Sequence, residues 1–169
     1  ELSRTVYEEA QRMASLANNI LDMARLDAGK VDLNLQWVPL EEIVGSVMVR
    51  LRRRLEGRGV SVDLAPDLPL LRVDAVMMEQ VLVNLLENAA KYTPAGTRIE
   101  IAGRKSDDGK WVEVAVADRG PGIPDGEAEK LFEKFYRVPA QRERAQSGVG
   151  LGLAICRAIV RGHGGAIEA

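Results

Sequence analysis

The sequence predicts an α+β fold: a mixed, mostly antiparallel sheet with about three helices on one face, preceded by one long helix. Three observations carry this. Short runs around 31–37, 60–65 and 112–118 alternate apolar and polar residues with the period of a strand. Stretches at 40–55, 75–91 and 149–162 repeat their apolar residues with the period of a helix. Strands and helices are mixed along the chain, which suits a sheet covered on one face by helices, a two-layer sandwich.

The elements follow in order. Residues 1–27 read as one helix, because Val6, Met13, Leu16, Ile20 and Met23 recur at helical spacings with Ala10, Ala17 and Ala24 beside them. Nothing within that segment buries the stripe. It needs a partner helix from another chain or from further sequence, unless it packs on its own domain. "DAGK" ends it. "KVDLNLQWV" alternates Val31, Leu33, Leu35 and Trp37 as a strand. Residues 40–55 form a helix ending in Arg52, Arg53 and Arg54, a solvated run favourable near the negative end of a helix dipole. "VSVDLA" is a short strand, and "DLPLLRV" a turn with another. Asp74 suits the N-cap of a helix over 75–91. "RIEIAGRK" and "WVEVAVAD" flank "SDDGK" as a hairpin, and adjacent strands are expected to be antiparallel. Residues 119–147 show little periodicity, and loops that long in a compact domain are usually functional lids or disordered. A last helix, 149–162, should bury Leu151, Ala154, Ile155, Ala158 and Ile159, and "GGAIEA" should open one more strand.

Composition narrows the function. The 169 residues are 46% apolar and 28% charged, which suits one globular domain, or one with a small appendage. Aromatics are 4%, so Leu, Val, Ile and Ala must build the core. A net charge of −2 gives no reason to expect nucleic acid. One cysteine, Cys156, and one histidine, His163, make neither an internal disulfide nor a four-ligand zinc site. A reducing, cytoplasmic setting is the natural reading. No apolar run approaches the roughly 18 residues of a membrane span, and no signal-peptide pattern opens the chain. The chain begins at Glu1 in mid-pattern, as a piece of something longer would.

Four clusters carry chemistry. In "NLLENAAKYT", Asn84, Glu87, Asn88, Lys91 and Tyr92 form one helical stripe, while Met78, Leu82, Leu85, Leu86 and Ala89 form another that faces a core. The polar stripe could simply face solvent, but asparagines are poor helix formers there. A carboxamide oxygen is a hard neutral ligand suited to Mg²⁺, and a lysine one turn on suits a phosphate. In "WVEVAVADRGPGIP", Val112, Val114, Val116 and Asp118 share one parity, so a core face ends in a carboxylate that needs a donor. Asp118 could also be a plain turn former. Gly120 and Gly122 would permit a tight turn and the close approach of a flat ligand. In "SGVGLGLAI", Gly148, Gly150 and Gly152 lead into a helix whose free N–H groups would suit phosphates, or they form a hinge. The dinucleotide fingerprint, the Walker A loop and the Ser/Thr/Tyr kinase motifs are absent. In "LFEKFYR", an aromatic and basic patch could pin the lid and aim Arg137 at a pocket, or be ordinary packing.

Together and in this order, "NLLENAAKYT", "DRGPGIP", "FEKFYR" and "GVGLGLAI" resemble the N, G1, F and G2 boxes of bacterial sensor histidine kinases, from about residue 37 to the end. That catalytic domain has the Bergerat ATP-binding fold shared with gyrase, Hsp90 and MutL. The first helix is similar to the second helix of the family's dimerisation and phosphoacceptor hairpin. "RVDAVMMEQVLVNLLENAAKYTPAGTRIEI" looks most like the potassium-responsive Kdp-type sensors. The resemblance divides the chain into residues 1–30, the hairpin helix, and 31–169, the ATP-binding domain with its lid at about 119–147.

The resemblance also implies roles. Asp118 should accept from the adenine amino group, Gly120 and Gly122 should let the base slide in, Tyr92 should line the base or ribose side, and Ile123 should belong to the ATP site. Asn88 should offer its amide oxygen to Mg²⁺, with Asn84 near the metal and triphosphate. Lys91 should contact phosphate. Arg137, beside Phe135, should reach the γ-phosphate. Gly148, Gly150 and Gly152 should wrap the phosphates, with Leu151 also in the ATP site, and Asn84 and Arg137 are the catalytic candidates. Glu87 stays open between a place near the metal and the surface. The hydrolysing relatives carry Glu where this chain has Asn84, which cannot take a proton from water; that suits transfer to another nucleophile.

The chain departs from the pattern by lacking the helix with the phosphoacceptor histidine. His163, in "RGHGGAI", matches a structural helix end. The implied function is Mg-ATP binding and transfer of the γ-phosphoryl to a histidine elsewhere, for relay to a response-regulator Asp, in a homodimeric full-length protein. A scaffold or nucleotide-sensing module of the same fold is the alternative. The anti-sigma type of Ser/Thr kinase is disfavoured by the hairpin-like helix and "FEKFYR".

Overall fold

The structure, a computed structural model, describes residues 32–138 and 149–169 and ten positions between 6 and 25. It divides into two compact units: Leu33–Pro124, and Glu1–Asp32 with Asp125–Ala169.

The first unit runs β1 (Gln36–Val38), α1 (Leu40–Leu51), β2 (Val60–Leu64), β3 (Leu71–Val73), α2 (Ala75–Tyr92), β4 (Ile99–Lys105) and β5 (Val112–Ala117). β1 and β3 pair antiparallel, with Trp37 opposite Arg72. β2, β4 and β5 form a three-stranded sheet in that order. β4 and β5 are antiparallel, with Ile101 opposite Val116, as the hairpin motif predicts. β2 and β4 are parallel, with Val60 opposite Ile99, which corrects the antiparallel expectation for these neighbours. The reason is the connection between them. It contains β3 and α2, long enough for the crossover that parallel strands require.

Apolar spacing explains the core. Leu40, Ile43, Val44, Val47 and Leu51 lie at helical intervals on α1 and are buried. Leu82, Leu86 and Ala89 do the same on α2, joined by Val81 and Val83. β4 turns Ile99, Ile101 and Gly103 inward, and Val112 and Val116 of β5 lie against the same cluster. Each such large apolar side chain contributes roughly 1.5–3 kcal/mol on burial. Gly103 is small because Leu40 and Leu64 converge on it. A Cβ there would lie 2.8 Å from a methyl of each.

Several boundaries differ from expectation. The strand predicted from residue 30 is only Gln36–Val38. Its parity is also reversed, since Trp37 is 67% exposed while Val38 lies against the core. The helix predicted to residue 55 ends at Leu51, and turns continue through 57 while still burying Leu55. Met78 and Leu85, expected in the core stripe, are half-buried. Val114 and Asp118 are exposed, so the inward parity of β5 is kept only by Val112 and Val116. β5 hydrogen-bonds to β4 alone among the described strands, so it is the edge of that sheet.

In the second unit, the long loop contains one 3₁₀ turn, Lys130–Phe132, and residues 139–147 of the predicted lid lie outside the described residues. α3 spans Gly152–Gly162, starting later than predicted, and it buries Cys156 where Ala158 is only half-buried. Residues 165–169 adopt no strand, because no ladder partner meets them among the described residues. The ten described N-terminal positions are helical and exposed. They include Val6, Ala10, Met13, Ala17, Ile20 and Ala24 of the predicted stripe, while Leu16 and Met23 lie outside the described residues. No helix among the described residues is long and apolar enough to cross a membrane.

Candidate functional site

The polar stripe lies on α2. Asp74 caps its start as predicted, accepting from the Met77 N–H at 3.2 Å, and Asp74 also accepts from the Asn34 N–H at 3.0 Å. Asn84, Glu87, Asn88, Lys91 and Tyr92 are all half-buried beside fully buried Val83, Leu86 and Ala89. A stripe facing open solvent would be more exposed. Glu87, whose role the sequence left open, is ion-paired with Arg54 from the turn after α1. The Lys91 ammonium lies 4.8 Å from the centre of the Tyr92 ring. Glu87 and Lys91 also line a shallow cavity of about 260 Å³ with Leu51, Arg54, Leu55 and Ala90; Asn84, Asn88 and Asp118 do not.

The end of α2 is tied down by groups that sequence reasoning missed. Thr93 is buried, and its hydroxyl donates to the Ala89 carbonyl at 2.6 Å. Arg58, from the loop before β2, hydrogen-bonds to Thr93 Oγ1 and to the carbonyls of Ala90, Thr93 and Pro94. A helix stopped by Pro94 must find donors for its last carbonyls, and that was the available signal.

The turn after β5 meets this helix end. Asp118 Oδ1 accepts from the Gly120 N–H at 2.7 Å, so Asp118 does form the turn. A carboxylate has lone pairs beyond the one this bond uses, so the turn orients the group without exhausting it. A Cβ on Gly120 would lie 2.8 Å from Asp118 Oδ1 and 3.3 Å from the Tyr92 carbonyl oxygen. Gly122 has φ +76°, the left-handed conformation that glycine adopts without strain. Ile123 beside it is 43% exposed.

In the second unit, Phe132 is buried, with the Arg157 guanidinium 5.7 Å from its ring centre. Phe135 is exposed, has φ +65°, and donates its N–H to the Gly150 carbonyl at 2.9 Å. Gly150 has φ +75°, and a Cβ there would lie 2.7 Å from the Tyr136 carbonyl oxygen. This glycine therefore serves the docking of the aromatic segment. Arg137 is half-buried, Leu151 is buried, and Gly152 opens α3. Gly148 lies outside the described residues. His163 ends α3. The Gly165 N–H reaches the Val160 carbonyl and the Gly164 N–H the Arg161 carbonyl, with Gly164 at φ +80°. That is a Schellman cap, and it accounts for "HGG" as a helix end. His163 Nδ1 lies 2.8 Å from the Ile159 carbonyl oxygen.

Residues 73–169 match the family described as histidine kinase-, DNA gyrase B- and HSP90-like ATPases. The chain belongs to that family.

Its relatives include sensor proteins and sensor kinases. The chain is 46% identical to the sensor protein KdpD of Escherichia coli K12 over 154 residues, 91% of this chain and 17% of that protein. It is 33% identical over 169 residues to KdpD of Clostridium acetobutylicum, covering 19% of it. The chain thus spans about a fifth of the length of these relatives. Among solved structures it is similar to full-length ShkA in complex with AMPPNP, at TM-score 0.82 and 30% identity, covering 95% of this chain and 33% of that one. It is also similar to the mycobacterial sensor histidine kinase MprB, at TM-score 0.68 and 32% identity, covering 79% of this chain and 83% of that one. This ATPase-family membership agrees with the α+β fold read from the sequence.

Among the described residues no group of three or more His, Cys, Asp or Glu side chains could hold a metal ion. The donors on α2 fit Mg²⁺ in another way. Mg²⁺ keeps several waters and is commonly held by one or two protein oxygens together with substrate phosphates. Asn84 and Asn88 offer such neutral oxygens on one half-buried face.

Proposed function

We propose that this chain is the ATP-binding catalytic part of a sensor histidine kinase. It binds Mg-ATP and directs the γ-phosphoryl group to a histidine outside this segment, for relay to a response-regulator aspartate. The observation that carries this is the meeting of two motifs in one unit. The Asp118–Gly120 turn abuts the last turn of the helix that presents Asn84, Asn88 and Lys91.

Each residue then has a task. Asp118, held by the Gly120 N–H, accepts from the adenine amino group, and the bare backbone at Gly120 and Gly122 lets the flat base approach, beside Ile123 and Tyr92. Asn88 would hold Mg²⁺ with Asn84 beside it, and Lys91 would neutralise phosphate charge. Bound Mg²⁺ would neutralise charge on the triphosphate, the main demand of phosphoryl transfer. Asn84 has no proton-accepting carboxylate, so water is not activated at that position. Arg137, with Phe135 in the same segment, and the N–H groups around Gly148, Gly150, Leu151 and Gly152 are assigned to the phosphates on the family resemblance. Glu87 is assigned to the surface, through its pair with Arg54.

In the full-length protein, residues 1–30 would be the second helix of a dimerising hairpin and 31–169 the catalytic domain. The identity to KdpD makes potassium-responsive signalling the preferred subtype, on the cytoplasmic side of a membrane-anchored sensor.

Calorimetry with ATP and ADP, with and without Mg²⁺, tests the reading. Wild type should bind; Asp118→Asn should lose affinity for both nucleotides; Asn88→Ala should lose the Mg²⁺ enhancement. With radiolabelled ATP, a separate phosphoacceptor hairpin should become labelled and this chain should not. No binding by well-folded protein would favour a scaffold, and self-labelling would overturn the structural assignment of His163.

A further inference from the structure

Arg58 is not part of any of the four sequence clusters, yet its guanidinium makes four hydrogen bonds. Nη1 donates to Thr93 Oγ1 at 2.6 Å and to the Pro94 carbonyl at 3.0 Å. Nη2 donates to the Ala90 carbonyl at 2.6 Å and to the Thr93 carbonyl at 3.1 Å. These acceptors include carbonyls that the end of α2 leaves without intrahelical partners. A cation at that end also opposes the negative pole of the helix dipole. The planar fork of arginine reaches both sides of the turn at once, which a lysine ammonium cannot do.

The arginine is itself held in place. Its N–H donates to the Leu55 carbonyl at 3.0 Å, and the next carbonyl, Gly59, accepts from Ile99 at the start of β4 at 2.9 Å. Gly57, at φ +77°, turns the chain just before it. Arg58 thus connects the sheet to the end of α2. That end in turn meets the Asp118 turn, since a Cβ on Gly120 would lie 3.3 Å from the Tyr92 carbonyl oxygen and 3.6 Å from Thr93 Cγ2.

We propose that Arg58 is a positioning residue for the nucleotide site. By clamping residues 90–94 it fixes the surface on which the Asp118–Gly120 turn rests, and so the aim of the Asp118 carboxylate, without touching nucleotide. The proposal rests on the ATP-binding reading above. A purely structural clamp would lower stability and leave the affinity of the folded protein unchanged.

The test uses Arg58→Met and Arg58→Lys in this chain, compared with wild type well below each melting temperature. Calorimetry gives the dissociation constants for Mg-ATP and Mg-ADP, and ¹⁵N spectra report the Gly120 amide. Folded Arg58→Met should weaken both nucleotides by a similar factor, about tenfold, as expected when a recognition group is misaligned from a distance. The Gly120 amide resonance should shift in the nucleotide-free protein. Arg58→Lys, which keeps the charge and loses the fork, should fall between Arg58→Met and wild type. It carries the test alone if Arg58→Met does not fold. Unchanged affinities in a folded variant, with or without a lower melting temperature, overturn the proposal. If wild type itself binds neither nucleotide, the ATP-binding reading fails, and the positioning role fails with it.

Discussion

Replacing Gly120 by alanine tests whether the contact between the Asp118 turn and α2 governs nucleotide binding. The added methyl would lie 2.8 Å from Asp118 Oδ1, 3.3 Å from the Tyr92 carbonyl oxygen and 3.6 Å from Thr93 Cγ2. The first distance is too short to survive. The carboxylate must rotate away and give up the 2.7 Å bond from the Gly120 N–H, or the 118–120 turn itself must open. A hydrogen bond to a charged group contributes about 1.5–3 kcal/mol when sheltered. Asp118 is exposed, so a discounted value of ~1 kcal/mol is appropriate. That is roughly a fivefold loss of affinity if the whole cost falls on the bound state. Any part of the cost that falls on the free protein instead should lower its melting temperature by about 2–4 °C per kcal/mol for a domain of this size. Gly109→Ala is the control. Gly109 lies in the hairpin turn at φ +69° with open space around it, so alanine costs about 1–2 kcal/mol of stability there and touches no site residue. Calorimetry with Mg-ADP should show weaker binding for Gly120→Ala and wild-type affinity for Gly109→Ala. Equal affinities for Gly120→Ala and wild type would refute the claim that this close approach aims Asp118.

Three further outcomes are expected. Gly150→Ala adds a methyl 2.7 Å from a backbone carbonyl at a left-handed position, so amide exchange at Phe135 should quicken as its bond to the Gly150 carbonyl is lost; unchanged exchange would disprove the docking role. Leu86→Ala empties a fully buried site and should cost about 2–5 kcal/mol, read as a lower denaturant midpoint. The Lys105 ammonium, 2.7 Å from Asp67 Oδ2, holds that carboxyl below its ordinary 3.8 by hydrogen bonding and then by charge. Its contribution to stability is therefore present above the unfolded value and lost as pH falls through the folded one. NMR titration of Asp67 should show the depressed value in wild type and a higher one, closer to the ordinary value, in Lys105→Met.

What the sequence made legible follows from local rules. Asp74 as a cap, the 106–111 hairpin and the buried stripe of Leu82, Leu86 and Ala89 each depend on residues within a few positions of one another, and all three are present. The pairing direction of β2 was not legible, because alternation describes the faces of a strand and not its neighbour. The face of Trp37 failed for a related reason. Both parities of residues 33–38 carry apolar side chains, and tertiary contact selected Val38. Arg58 was invisible because its acceptors, 32 to 36 residues away, are mostly backbone carbonyls, which any residue could supply. Asp118 was read both as a turn former and as a ligand. The structure shows the turn, and that turn is what would hold the carboxylate ready for a ligand.

The same helix carries the core and the proposed site, and this constrains how either can change. Asparagine in a helix interior costs up to roughly 0.7 kcal/mol against alanine, so Asn84 and Asn88 weaken α2 by about 1 kcal/mol together. Leu82, Val83 and Leu86 on the adjoining face each contribute roughly 1.5–3 kcal/mol by burial and outweigh that loss. The two faces are not independent, because Asn88 directly precedes buried Ala89, and Lys91 and Tyr92 directly precede buried Thr93. A rotation of α2 that improved its packing would turn the amides away, and one that exposed them further would unseat Leu86. On the proposed reading, the core behind the amides and the clamp at the helix end would position them before any ligand arrives. For a step that depends on aligned charge more than on bond-making by the protein, that prior alignment is the contribution this unit can make.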